Sequence, residues 1–242
     1  MMAYAIARYR NRLLERIYQG RDIKPEALRN LKTLEGIDFY KGLLSADYVV
    51  IDTELTGLDL KRDSILSIGA LKMSGTTISL GDYFYRVVDP LSCLNPSSVV
   101  IHGITPEEAS GCPTIDRVMP EFVDYCKNRL VIGHCVSIDK DFINKEMKRL
   151  YGFSLQNPFV DTLKIYWWYK KKRLGYDAFS EETTLGTSSL FEIAKEFDVP
   201  VSEGHNALSD AFITAQIFQR LLPILISKGV KRLSDLLSIA GV

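Results

Sequence analysis

The sequence predicts an α/β domain built on a mixed sheet and preceded by a helical extension. Three observations carry this reading. Three runs rich in Ile, Val, Tyr and Phe (47–52, 64–73 and 76–88) are separated by the turn signals Gly57-Leu58-Asp59 and Ser74-Gly75, as in an antiparallel meander. Beyond residue 100, helix starts alternate with the short apolar runs Leu130-Val131-Ile132-Gly133 and Phe159-Val160, which adds buried strands between helices. Residues 1 to about 45 look helical and separate from the rest.

In chain order, Tyr4, Ala7, Leu13, Leu14 and Ile17 form an amphipathic stripe ending near Gly20. Pro25 suits the first turn of a second helix that carries Ala27, Leu28 and Leu31. Residues 1–45 are too short for a core of their own, so they are expected to pack on the main domain or on a partner. In Thr105-Pro106-Glu107-Glu108 a capping threonine precedes a proline and two first-turn acids, a helix start. Residues 116–128, 138–151, 162–170, 188–197 and 207–227 read as further helices. Residues 171–187, polar with Gly and Thr, read as a loop. The division expected is a helical extension over 1–45, a main domain over 46–227 and a short helical tail over 228–242.

Composition narrows the class. Hydrophobic residues make up 46% and charged residues 25% of 242 positions, ordinary for a globular protein of one large domain with extensions or two small ones. No apolar run is long enough to span a bilayer, and Arg8, Arg10, Arg12 and Arg16 interrupt the start too early for a signal peptide. Cys93, Cys112, Cys126 and Cys135 are scattered with no C-x-x-C pair, which points to a reduced, cytoplasmic protein. The zero net charge announces no broad basic face, yet an enzyme gripping a few nucleotides through metals needs none. Lys170-Lys171-Lys172-Arg173, after Trp167-Trp168-Tyr169, reads first as the solvated end of an aromatic-rich helix and second as a phosphate-contacting rim.

The chemistry lies in a few acids. Asp52 and Glu54 end the apolar run Tyr48-Val49-Val50-Ile51 and, two apart on a strand, project from one face. Like charges there repel and lose hydration, and a divalent cation is the natural compensation. Asp210 begins the stripe Ile213, Ile217, Leu221 and Leu225, and Asp139 begins the stripe Phe142, Met147 and Leu150. Either alone is an ordinary first-turn acid; with Asp52 and Glu54 they indicate a shared site. Asp161 is explained as a helix N-cap, and Asp141 and Glu146 are expected to face solvent. His102 and His134 read as structural histidines. His205 stands in a loop before the cap residue Asn206, where an imidazole can serve as general base for water.

These segments resemble the DEDD 3′–5′ exonucleases. Asp52-Thr53-Glu54-Leu55-Thr56-Gly57-Leu58 is similar to their first motif, and His134-Cys135-Val136-Ser137-Ile138-Asp139-x-x-Phe142 to their second. His205-Asn206-Ala207-Leu208-Ser209-Asp210-Ala211 is similar to the third in its histidine form, DEDDh. Ile101-His102-Gly103-Ile104-Thr105 resembles a stretch of the DnaQ-like branch that holds the proofreading epsilon subunit of bacterial DNA polymerase III. The match runs from about 46 to 225; Leu55, Cys135 and Ser209 depart from the usual residues without removing a catalytic group.

The resemblance implies an RNase H-like, five-stranded mixed sheet flanked by helices, and a two-metal mechanism. Asp52, Glu54, Asp139 and Asp210 would hold two Mg²⁺ or Mn²⁺ ions, and His205 would deprotonate the attacking water. Thr56, Gly57, Leu58 and Ile104 would contact the terminal nucleotide, with Leu58 as an apolar wedge against its base. The implied activity is release of nucleoside 5′-monophosphates from single-stranded or frayed DNA 3′ ends, in proofreading or otherwise. The alternatives are an RNA trimmer of the RNase T or oligoribonuclease type and a non-catalytic scaffold subunit. The partners implied are a single-stranded 3′ end, DNA before RNA, and a polymerase subunit or a second copy, with no membrane.

Overall fold

A computed structural model describes residues 2–18, 24–90, 96–174, 188–201 and 206–242. His205, Cys93 and residues 175–187 of the expected loop lie outside the described residues. The five strands β1 (Asp47–Leu55), β2 (Ile65–Ser74), β3 (Thr77–Val87), β4 (Leu130–Gly133) and β5 (Phe159–Asp161) form one sheet in the order β3-β2-β1-β4-β5. The meander β1-β2-β3 is antiparallel, whereas β1-β4 and β4-β5 pair in parallel.

β1 is central, and its apolar run explains why. Tyr48, Val49, Val50 and Ile51 are fully buried, as a strand covered on both faces requires. Alternation splits them between two cores. Tyr48 and Val50 face the long helix α9 (Ala207–Ser227), with the Tyr48 and Phe218 rings edge-on at 5.0 Å. Val49 and Ile51 face helices α5 (Ile115–Tyr125) and α6 (Ser137–Tyr151).

The N-terminal helices α1 (Met2–Tyr18) and α2 (Pro25–Leu31) pack on this frame. Tyr4 stacks on Phe39, Arg8 donates to the Leu34 and Ile37 carbonyls at 2.9 and 2.8 Å, and the Asn11 amide donates to Leu31 O at 3.1 Å. Because Asn11 occupies the inward position, Leu13 and Ile17 of the expected stripe turn to solvent. From α2, Asn30 Nδ2 donates to Asn157 Oδ1 at 3.1 Å, and Asn157 Nδ2 donates to the carbonyls of Cys126 and Arg129.

Helix α3 (Pro96–His102) was not expected, and the helix capped by Thr105 is the single turn α4 (Pro106–Ala109). Helix α7 (Thr162–Leu174) runs past the expected end at 170 into the expected loop, so the basic cluster is the end of an aromatic-rich helix, as its first reading has it. There Lys170 pairs with Glu196 of α8 (Leu190–Glu196) at 2.7 Å, while Lys171, Lys172 and Arg173 are exposed. Glu146, expected in solvent, is buried and pairs with Arg149 at 2.7 Å, which compensates its charge. The tail forms α10 (Leu233–Ala240), which packs on α7 and β5.

Candidate active site

The parallel ladder between β1 and β4 ends at Val50 and Ile132, while β1 continues through Asp52, Thr53 and Glu54. Past β4 the chain turns away at Cys135, whose φ of 50° is left-handed and whose amide donates to Asp161 Oδ1 at 3.1 Å. A crevice therefore opens outside the carboxyl ends of the parallel strands, the usual site position in α/β sheets.

Pleating decides where each side chain goes. Asp52 and Glu54 share the α9 face with Val50, and there Asp210 stands in the first turn of α9. Carboxylate oxygens of Asp52, Glu54 and Asp210 lie within 4.8 Å of one another. Thr53 points to the α6 face, and its hydroxyl donates to Asp139 Oδ1 at 2.6 Å. Asp139 thus lies beside the three-acid group rather than in it, joined through the residue between the two strand acids.

Helix α9 reaches the strand because of Gly69. Asp52, Gly69 and Tyr85 are in register across β1, β2 and β3. A Cβ on Gly69 would collide with the Ala207 carbonyl and the Leu208 amide. Asn206 caps the helix by accepting from the amides of Leu208 at 3.0 Å and Ser209 at 3.3 Å, and its Nδ2 donates to Tyr85 Oη at 3.0 Å.

Electrostatics agree with a cation site. Burial raises the Asp52 carboxyl well above the usual range, and Asp139, Asp210 and Glu54 push it further. Burial also raises Asp139 to about 7, against the opposing hydrogen bond from Thr53. Hard oxygen ligands this close suit Mg²⁺ or Mn²⁺, whose bound oxygens stand roughly 3–4 Å apart at metal–oxygen distances of about 2.1 Å. The donor set fits such ions.

The cleft above the acids holds about 320 Å³, and the exposed side chains of Leu58, Ile101 and Ile138 line it. Gly57 also lines it, whereas Thr56 is buried and turned into its own loop. Ile104 packs with Leu66 and Ala109 and is not a lining residue; from that segment it is Ile101 that reaches the cleft, because Gly103, with φ of 72°, reverses the chain between them. Asp161 is the N-cap expected, accepting from Leu163 N at 2.9 Å. His134 sits 3.1 Å from Thr162 Oγ1. His102, read as structural, accepts at Nδ1 from Ile104 N at 3.1 Å and is also among the residues lining the cleft. With Nδ1 an acceptor, the ring's proton is on Nε2, which is buried, and burial lowers the ring's pKa.

A mixed five-stranded sheet with buried acids at the carboxyl end of its central strand defines a nuclease of RNase H-like fold. The exonuclease family model matches residues 49–218, and the chain belongs to that family. It is 34% identical over 180 residues to the DNA polymerase III subunit epsilon of Aquifex aeolicus, covering 74% of this chain and 82% of that protein. It is 28% identical over 219 residues to the PolC-type DNA polymerase III of Thermotoga petrophila, covering 90% of this chain and 14% of that protein. The chain thus spans about one-seventh of the length of the PolC relatives it matches. Among solved structures, cell-death related nuclease 4 superposes with a TM-score of 0.61 at 17% identity, over 77% of this chain and 65% of that one. E. coli exonuclease I in complex with a dT13 oligonucleotide gives 0.61 at 17%, over 76% and 43%.

Proposed function

We propose that this chain is a DEDDh-type 3′–5′ exonuclease that releases nucleoside 5′-monophosphates from single-stranded or frayed DNA 3′ ends. The observation that carries this is the convergence of Asp52, Glu54 and Asp210 oxygens within 4.8 Å, with Asp139 one hydrogen bond from the strand between them. In this reading the four acids hold two divalent cations, Mg²⁺ or Mn²⁺, which when bound activate water and neutralise charge on the scissile phosphate. Leu58 and Ile101 seat the terminal base against the cleft's apolar rim, with Gly57 admitting the backbone. His205 takes the proton of the attacking water, and the 3′ oxygen of the penultimate nucleotide leaves.

Two relatives bear the names of DNA polymerase III components, which supports DNA over RNA and a polymerase subunit as partner, with a second copy as the other candidate. Residues 46–227 would be the catalytic unit, flanked by an N-terminal extension and a short tail. The free thiols of Cys112, Cys126 and Cys135 agree with a cytoplasmic setting, and no helix of the described residues is long and apolar enough to cross a membrane.

The test is a panel of matched DNA and RNA single strands, labelled at the 5′ end, with Mg²⁺ or Mn²⁺. Stepwise shortening of DNA from the 3′ end is expected. Preference for RNA would move the chain to the trimming enzymes, and no mononucleotide release from any strand would leave a scaffold.

A further inference from the structure

We infer that the carboxylate of Asp63, outside the acidic site, is the anchor of the loop over residues 56–64 and thereby positions Leu58 against the 3′-terminal base. The inference rests on the reading of the cleft as the seat of a nucleic-acid 3′ end.

Leu58 is 75% exposed, so no packing of its own holds its side chain at the cleft mouth. Its place must come from the backbone on either side. That backbone wraps around Asp63. Oδ2 accepts from Asp59 N at 2.8 Å, one residue past Leu58, and Oδ1 accepts from the Thr56 hydroxyl at 3.2 Å, two residues before it. The Thr56 hydroxyl accepts in turn from Ser64 N at 3.0 Å, and Thr56 N donates to Ser64 O at 3.0 Å. One carboxylate therefore ties both flanks of Leu58 to the start of β2.

Two neighbours fix this arrangement further. Any side chain at Gly57 would occupy the space of the Asp63 carboxylate, so that glycine is required by the anchor as well as by the cleft. On α6, Lys145 Nζ donates to Asp63 O at 2.5 Å, six residues beyond Asp139. The loop is thus referenced to the helix that carries a site acid. Asp63 touches neither substrate nor reacting atoms; it is a positioning residue.

The experiment uses the full chain with Asp63→Ala. On a single-stranded oligonucleotide KM should rise about tenfold with kcat changed by less than about threefold, the pattern of lost uniform binding. On the same strand ending in an abasic nucleotide, wild type and variant should match, because the contact being positioned is with the base. Mn²⁺ affinity and Tm should hold, while trypsin should cut after Lys61 or Arg62 faster in the variant. Thr56→Val, which removes the other end of one anchoring bond, should reproduce the KM rise, and Asp63→Asn, keeping one acceptor, should fall between. An unchanged KM, an equal penalty on the abasic strand, or unchanged trypsin cutting would overturn the inference. If wild type itself released no nucleotide, the reading of the cleft would fail instead, and the trypsin rates would still decide whether Asp63 anchors the loop.

Discussion

Asp52 and Gly69 face each other across β1 and β2, and the missing side chain of Gly69 is what brings Asp210 within reach of Asp52. The row continues to Tyr85, whose hydroxyl holds the cap of the helix bearing Asp210. One sheet row therefore sets both the depth and the rotation of the first turn of α9.

Gly69→Ala should push that turn off the sheet. Overpacking of this kind costs about 1–3 kcal/mol, so Tm should fall. Mn²⁺ affinity and turnover should fall with it, because Asp210 moves away from the other two acids. Thermal unfolding with and without Mn²⁺ separates the two effects. A variant that lost stability but bound Mn²⁺ as tightly as wild type would show that the helix position does not limit the site.

The raised acids give the metal-free protein a definite pH dependence. Unfolded aspartates titrate near 3.9, whereas in the fold Asp52 is held well above its ordinary value and Asp139 near 7. Between those limits the folded state binds more protons than the unfolded chain, so stability from these groups is present at low pH and lost as pH rises through the folded values. The metal-free Tm should therefore decline from about pH 5 to about pH 8. Mn²⁺ should raise Tm more at the alkaline end, and Asp52→Asn should raise the metal-free Tm there while abolishing turnover. A metal-free Tm with no decline over that range would mean that the acids are already compensated.

Which residues could be read from the sequence follows from how each one works. Counting three back from Ile213 lands on Asp210, because α9 keeps a regular stripe and buries Ile213, Ile217, Leu221 and Leu225. Asp52 and Glu54 stood out because strand period alone puts them together. Gly69 acts only through close approach to Ala207, far along the chain, and Asp63 only through side-chain bonds within its own loop, which no sequence pattern marks. The α1 stripe failed at Leu13 and Ile17 because Asn11, polar, takes an inward position by bonding Leu31 O. Ile101 and Ile104 could not be told apart in a linear motif, since the left-handed Gly103 between them sends only the first to the cleft.

The extension over 1–45 supplies core rather than decoration. Leu31, Leu34, Ile37, Phe39 and Leu43 are buried against the sheet's two cores. At about 1.5–3 kcal/mol each, their loss rivals the whole net stability of about 5–15 kcal/mol of an ordinary domain. A fragment over 46–242 should therefore fail to fold cooperatively by circular dichroism. Asn157→Ala should show the same link at one residue. It strands the Arg129 carbonyl and Asn30 Nδ2, at about 1–3 kcal/mol for each group left unsatisfied, while Cys126 O keeps the Arg129 amide. Cooperative unfolding of the fragment at wild-type Tm would make the extension dispensable.

The sharpest mechanistic test compares His205 with Asp210. His205 precedes Asn206, the residue that caps α9, and is proposed to move a proton without holding metal. His205→Ala should lower kcat by about 10²–10⁴-fold and leave Mn²⁺ affinity and Tm unchanged, and added imidazole should restore part of the rate. Asp210→Asn should lose Mn²⁺ affinity and turnover together. Full activity of His205→Ala at neutral pH would place the base elsewhere, but not at His102. His102 has its Nδ1 occupied by the Ile104 amide and its Nε2 buried, so neither ring nitrogen is open to take a proton from water.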